Sequence, residues 1–139
     1  MIPMYELPKT FTDAIDITRK LGLDYLWIDS ICIIQGDNCD WEHESALMSP
    51  VYGGSSVNIA ASSARDGSQG CFLKPKYFTG GFLAEISIKG SRKVYDFRSP
   101  LTYDKATVNS HLATRAWAFQ EKLLAPRTLH CGDQGLFWE

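Results

Sequence analysis

Between Pro8 and Ser62 the chain alternates two kinds of hydrophobic pattern, and that alternation restricts its fold more than any other feature. "PKTFTDAIDITRKLGLD", residues 8–24, places Phe11, Ala14, Ile15 and Thr18 at i, i+3, i+4 and i+7, with Pro8 and Thr10 at its head and Gly22 as a stop. That spacing predicts an amphipathic helix. "YLWIDSICII" follows, too short and too rich in β-branched and aromatic residues for a long helix, and apolar on both faces at its start. Tyr25 to Asp29 is therefore expected to be a buried, parallel strand. Asp40 then heads a helix from Trp41 to Tyr52, closed by Gly53-Gly54, and "SVNIAAS" reads as a short strand. Helix, strand, helix, strand is the order of an α/β unit with a mostly parallel sheet flanked by helices.

The middle of the chain departs from this order. "SSARDGSQGCFLKPKYFTGG" is a Gly-, Ser- and Pro-containing loop, and "FLAEISIKGSRKVYDF" reads as two alternating strands joined around Lys89 to Ser91. A β-hairpin inserted in the α/β core is expected. Thr114 to Leu124 predicts a third helix, stopped by Pro126, and "RTLHCGDQGLFWE" two short strands about a Gly-containing turn. At 139 residues the chain is expected to form one domain. Its 45% hydrophobic and 22% charged residues are those of a globular protein, not a disordered one.

Charge and composition narrow the partners. A formal net charge of −2, with Lys and Arg scattered, argues against phosphate-backbone binding and against an anionic membrane surface. The longest apolar stretch is broken by Asp29 and Ser30 and falls short of the roughly 20 residues of a membrane helix. Cys32, Cys39, Cys71 and Cys131 include no C-x-x-C pair, and no basic stretch precedes an apolar signal run, so reduced thiols in the cytoplasm are expected.

Few residues carry a chemical signal. Gly53-Gly54 and Gly80-Gly81 lack the glycine spacing that aims backbone N–H groups at phosphate. Cys39 and His43 supply only two metal ligands, so no metal site is expected. Cys32 follows the first strand, where loop chemistry often sits, but a buried packing thiol explains it better. Asp29 ends "LWID" at the carboxyl edge of the expected sheet, where open α/β folds place ligands. A turn carboxylate that accepts nearby backbone N–H groups explains it equally well. In "TRAWAFQEKLL" a helix puts Trp117, Gln120, Glu121 and Leu124 on one face. Glu121 is thereby carried toward the core, where an unpaired carboxylate costs several kcal/mol. It needs Arg115, Arg127, a set of hydrogen bonds or a cationic ligand.

Together, "LPKTFTDAIDITRKLGLDYLWIDSICIIQ", "DWEHESALMSPVYGGSSVNIAAS" and "TRAWAFQEKLLAPRTLHCGDQGLFWE" resemble, in order and spacing, the three signature blocks of the fungal heterokaryon incompatibility (HET) domain. The resemblance covers nearly all of residues 1–139. It implies a fungal cytosolic module of non-self recognition that triggers programmed cell death, with a distant relation to TIR domains and their helix-wrapped parallel sheet. Such domains usually open with a strand resembling "LSYxWG", and nothing like it precedes Tyr5. A TIR-like domain incomplete at both ends and lacking its first strand is the fold expected. Some TIR domains cleave NAD with the glutamate of a W-C-x-x-E pattern. Trp117 and Glu121 stand at that separation, with Ala118 at the cysteine position.

The resemblance thus implies NAD as substrate, with no bound cofactor. Glu121 becomes the catalytic group, and Asp29, Trp117, Gln120 and Arg115 the residues of its pocket. It equally implies a non-catalytic, self-associating module, with homo-oligomers and other incompatibility or NLR-type proteins as partners. An inert product of a truncated gene is the third expectation.

Overall fold

A computed structural model of the chain describes residues 2–72, 82–88, 91–97, 110–133 and 135–139. After a 3₁₀ turn at Met4–Glu6, helix α1 runs Lys9–Lys20 and buries Asp13, Ala14, Ile17 and Thr18. Its start is set by Pro8 and not by a Thr10 cap, since the Thr10 hydroxyl donates to the Gly67 carbonyl at 3.1 Å. Its end is a Schellman motif. Gly22, at φ 71°, lets its own N–H reach the Arg19 carbonyl at 3.0 Å and the Leu23 N–H reach the Thr18 carbonyl at 3.1 Å.

Tyr25 to Asp29 is not a strand. Residues 25–28 carry no regular structure, Tyr25 is 91% exposed, and Asp29 opens a one-turn helix α2, Asp29–Cys32. Ile28 is extended, at φ −134° and ψ 121°. Extended geometry becomes a strand only with a hydrogen-bonding neighbour, and among the described residues this segment faces a cleft instead. Helix α3, Asn38–Gly53, starts three residues before the expected Trp41 because Asp37, not Asp40, caps it. The Asp37 carboxylate accepts from the N–H groups of Cys39 and Asp40 at 2.9 and 3.1 Å. Asp40 instead accepts from the Ile34 N–H at 2.7 Å, tying the loop to the helix.

The second half follows the sequence pattern more closely. Strand β1, Asn58–Ala60, is followed by β2, Phe82–Ile88, and β3, Ser91–Phe97, which pair antiparallel as a hairpin with Glu85 opposite Val94. The turn expected at Lys89 to Ser91 lies largely outside the described residues, as does Gly80-Gly81. A 3₁₀ turn at Leu112–Thr114 leads into helix α4, Ala116–Leu124, and then β4, Thr128–Gly132, and β5, Gly135–Trp138.

The fold is mixed α/β, with four α-helices among the described residues and a three-stranded sheet of order β1-β4-β5. β1 and β4 are parallel, with Ile59 opposite Leu129, whereas β4 and β5 are antiparallel, so the sheet is mixed, not mostly parallel. The β2–β3 hairpin forms its own two-stranded sheet. Ile17 of α1, Cys71 and Cys131 make the core, with Ile59, Ala61 and Leu129 packed on it.

One buried charge organises this core. Asp13 is 4% exposed and accepts from the Cys71 N–H at 2.8 Å and from the Lys9 ammonium. Burial pushes its pKa up, but the Lys9 and Cys71 hydrogen bonds outweigh burial and hold it below the usual value. Gly70 is at φ 83°, and a Cβ there would collide with the Asp13 carboxylate, so this approach requires glycine. Cys71 and Cys131 are buried free thiols in mutual contact, while Cys32, expected inside, is exposed.

Candidate functional site

The main cleft encloses about 580 Å³ between the Gly22–Asp29 segment, the start of β1, and the facing sides of α3 and α4. Three of the five residues singled out from the sequence line it: Asp29, Arg115 and Glu121. Tyr52, from the last turn of α3, completes the group. Trp27 packs edge-on against the Tyr52 ring, with centroids 5.7 Å apart at 76°, and this contact fixes where the phenol points.

Glu121 is half-buried, and its carboxylate accepts a hydrogen bond from the Tyr52 phenol. Burial raises its pKa above the ordinary value, the Asp29 carboxylate raises it further, and the Tyr52 hydrogen bond and Arg115 charge only partly offset them. The same surroundings act on Tyr52, whose phenol is pushed well up, first by burial and then by the Glu121 and Asp29 charges. Two carboxylates thus converge on one cleft, and the nearby guanidinium is the weakest of the four influences on Glu121. Such a site disfavours its own negative charge. A cation entering the cleft relieves that disfavour.

Asp29 does not end a sheet strand as expected; it heads α2, acts as a turn carboxylate and borders the cleft. One of its carboxylate oxygens accepts from the Ser30 N–H at 2.6 Å, and the residue also lines the cleft. Arg115 is exposed and immediately precedes α4, with its side chain at the cleft wall. Arg127 is exposed and has no part in setting the Glu121 pKa.

Trp117 and Gln120 do not line the cleft. Trp117 is 52% exposed and Gln120 is also exposed. The half-buried residues of α4 are Ala118, Glu121, Lys122 and Leu124, so the helix turns Ala118 inward where the sequence pattern expects Trp117. Packing of α4 on α3, where Gly53 lies against the Leu124 carbonyl, decides this rotation.

A second polar group lies outside every sequence expectation. The Ser62 hydroxyl, in the turn after β1, is 3.0 Å from Nδ1 of His130 in β4, and His130 Nε2 is 2.9 Å from a carboxylate oxygen of Glu139. Ser62 and His130 are 68 residues apart, so no spacing rule links them. Among the described residues, no group of three or more His, Cys, Asp or Glu side chains is placed to hold a metal ion, and no helix is long and apolar enough to cross a membrane.

The family model for heterokaryon incompatibility protein (HET) matches residues 1–121. The chain belongs to the HET family. No curated protein and no solved structure matches it. The matched part of this HET domain holds Asp29, Tyr52, Arg115 and Glu121, and it ends at Glu121. β4 and β5, with His130 and Glu139, lie beyond it. Family membership points to a role in heterokaryon incompatibility.

Proposed function

We infer that the Glu121 cleft cleaves NAD, and that this HET domain acts in the fungal cytosol to trigger programmed cell death on non-self recognition. The observation that carries the catalytic part is Glu121 itself, a half-buried carboxylate beside Asp29 in a cleft of about 580 Å³. That volume is in the range of small-molecule and cofactor sites.

Breaking the nicotinamide–ribose bond leaves the bonding electron pair on nicotinamide and develops positive charge on the ribose. Glu121 is held where its charged form is poorly solvated, so it gains more from that developing cation than from the ground state. Asp29 adds to the field. The Tyr52 phenol holds the Glu121 carboxylate in one orientation, and Arg115 at the wall is suited to the pyrophosphate. Water then attacks the ribose carbon and loses its proton, giving ADP-ribose.

Purified protein incubated with NAD is expected to release nicotinamide, and Glu121→Gln to lose about 10²- to 10³-fold in rate. No release, or equal release from Glu121→Gln, rules the activity out.

A non-catalytic, self-associating role is favoured by a different observation. Trp117, Phe119 and Leu123 of α4 are 52%, 69% and 72% exposed, and apolar surface of this kind marks contact sites. Under that role light scattering shows concentration-dependent association, and cell killing survives Glu121→Ala.

A further inference from the structure

Ser62, His130 and Glu139 stand on three different elements and form one hydrogen-bonded chain. Ser62 is 1% exposed and lies in the turn directly after β1. His130 is 4% exposed within β4. Glu139 follows β5, and its backbone is bonded twice to Thr128 at 2.9 Å, while its carboxylate also pairs with Lys122 at 3.0 Å.

The carboxylate decides the tautomer. With Glu139 at 2.9 Å from Nε2, the ring proton belongs on Nε2, and the Nδ1 lone pair at 3.0 Å is a nearer acceptor for the single Ser62 proton than the Ala60 carbonyl at 3.4 Å. Nucleophile, base and orienting acid therefore meet at the distances that general-base activation of a serine needs. The chain also opens on space. A cavity of about 440 Å³ is lined by all three residues, by apolar Ala60, Leu112 and Phe119, and by Asn58, with Lys122 and Glu121, which also borders the main cleft, on its wall. A tie that served only to join β4 to the turn after β1 would need neither the cavity nor the carboxylate.

We propose that Ser62, His130 and Glu139 form a serine acyl-transfer centre that takes a short, apolar carboxylic ester in this cavity. Ser62 Oγ bonds to the ester carbonyl carbon as its proton passes to His130 Nδ1. The carbonyl electron pair moves to its oxygen, where the Asn58 carboxamide is the donor at hand. Collapse breaks the bond to the alkoxy oxygen, which leaves with the proton from His130. Glu139 stabilises the imidazolium between these transfers. Water then repeats the sequence on the acyl-serine, with His130 again as base. The net change is ester and water to acid and alcohol, with no other reactant. This centre does not rest on the NAD assignment.

The test is a short-chain alkyl fluorophosphonate added to the intact, folded protein, followed by mass mapping of the adduct and by hydrolysis of p-nitrophenyl butyrate. A single adduct on Ser62 is expected, absent in Ser62→Ala and formed about 10²- to 10⁴-fold more slowly in His130→Gln. His130 is buried and its replacement disturbs packing, so Glu139→Gln is the gentler variant, with a side chain that is 42% exposed. It should slow both labelling and hydrolysis about 10-fold or more. An unlabelled Ser62 in folded protein overturns the proposal, and so does a Glu139→Gln rate equal to wild type.

Discussion

Replacing Glu121 by Gln separates a functional carboxylate from a structural one, because the two predict opposite changes in stability. Glutamine keeps the size of the side chain and an oxygen that can accept from the Tyr52 phenol, so the substitution removes the charge and little else. In the folded protein the Glu121 pKa lies above its ordinary 4.5, first through burial and then through Asp29. A carboxyl with a raised folded pKa contributes most to stability below the unfolded value, and that contribution is lost as pH rises through the folded value.

Above its folded pKa the wild-type chain carries an ionised group that the fold disfavours, and Glu121→Gln relieves it. The group keeps some contact with water and one hydrogen bond, so the gain is about 1 kcal/mol, below the several kcal/mol of a fully buried ion. For a chain of this size that raises the melting temperature by roughly 4 °C. At pH 4, where the carboxyl is already largely protonated, the two proteins should melt together. Calorimetry at both pH values measures the difference, and nicotinamide release measures the activity in parallel. A structural ion pair with Arg115 predicts the reverse, a loss of stability at pH 7. That loss, or a difference independent of pH, contradicts a carboxyl whose pKa is raised by burial and by Asp29.

Three further outcomes follow from the same structure. Asp29→Asn should move the Glu121 titration, followed by carbon-detected NMR, toward lower pH, while Tyr52→Phe should move it higher by removing the bond that favours the charge; movement in the same direction contradicts the site geometry. Asp13→Ala should cost about 2 to 3 kcal/mol in urea unfolding at pH 7, because it strands the buried Cys71 N–H. The Asp13 pKa is depressed, so its contribution is present above its unfolded value of 3.8 and lost as pH falls through the lower folded value; the penalty should shrink in acid. Gly22→Ala should cost about 1 kcal/mol in the same assay, since nothing lies within 4 Å of the added Cβ and only the left-handed backbone resists it.

Periodicity and turn chemistry in the sequence determined the local elements: α1, the strand at Asn58–Ala60, the β2–β3 hairpin and the β4–β5 pair. All but the Asn58–Ala60 strand, which pairs with β4, draw on residues near one another in the chain. Block order determined the HET family, and helical spacing singled out Glu121; Asp29, chosen as the end of a strand that does not form, and Arg115, chosen as a charge partner, line the same cleft. The sequence pattern could not decide whether Tyr25 to Asp29 is a strand, because an apolar, extended segment becomes one only where a neighbour offers hydrogen bonds. Nor could it set the rotation of α4. Trp117 looked inward on a helical wheel, yet the packing of α4 on α3 turned Ala118 and Glu121 inward and left Trp117 and Gln120 in water. Tyr52 lies inside the second signature block but carries no chemical signal there, and it entered the site through that same packing. The Ser62, His130 and Glu139 chain depends entirely on the parallel register of β1 on β4 and the hairpin that returns β5. Only tertiary structure brings together hydrogen-bonding groups 68 residues apart.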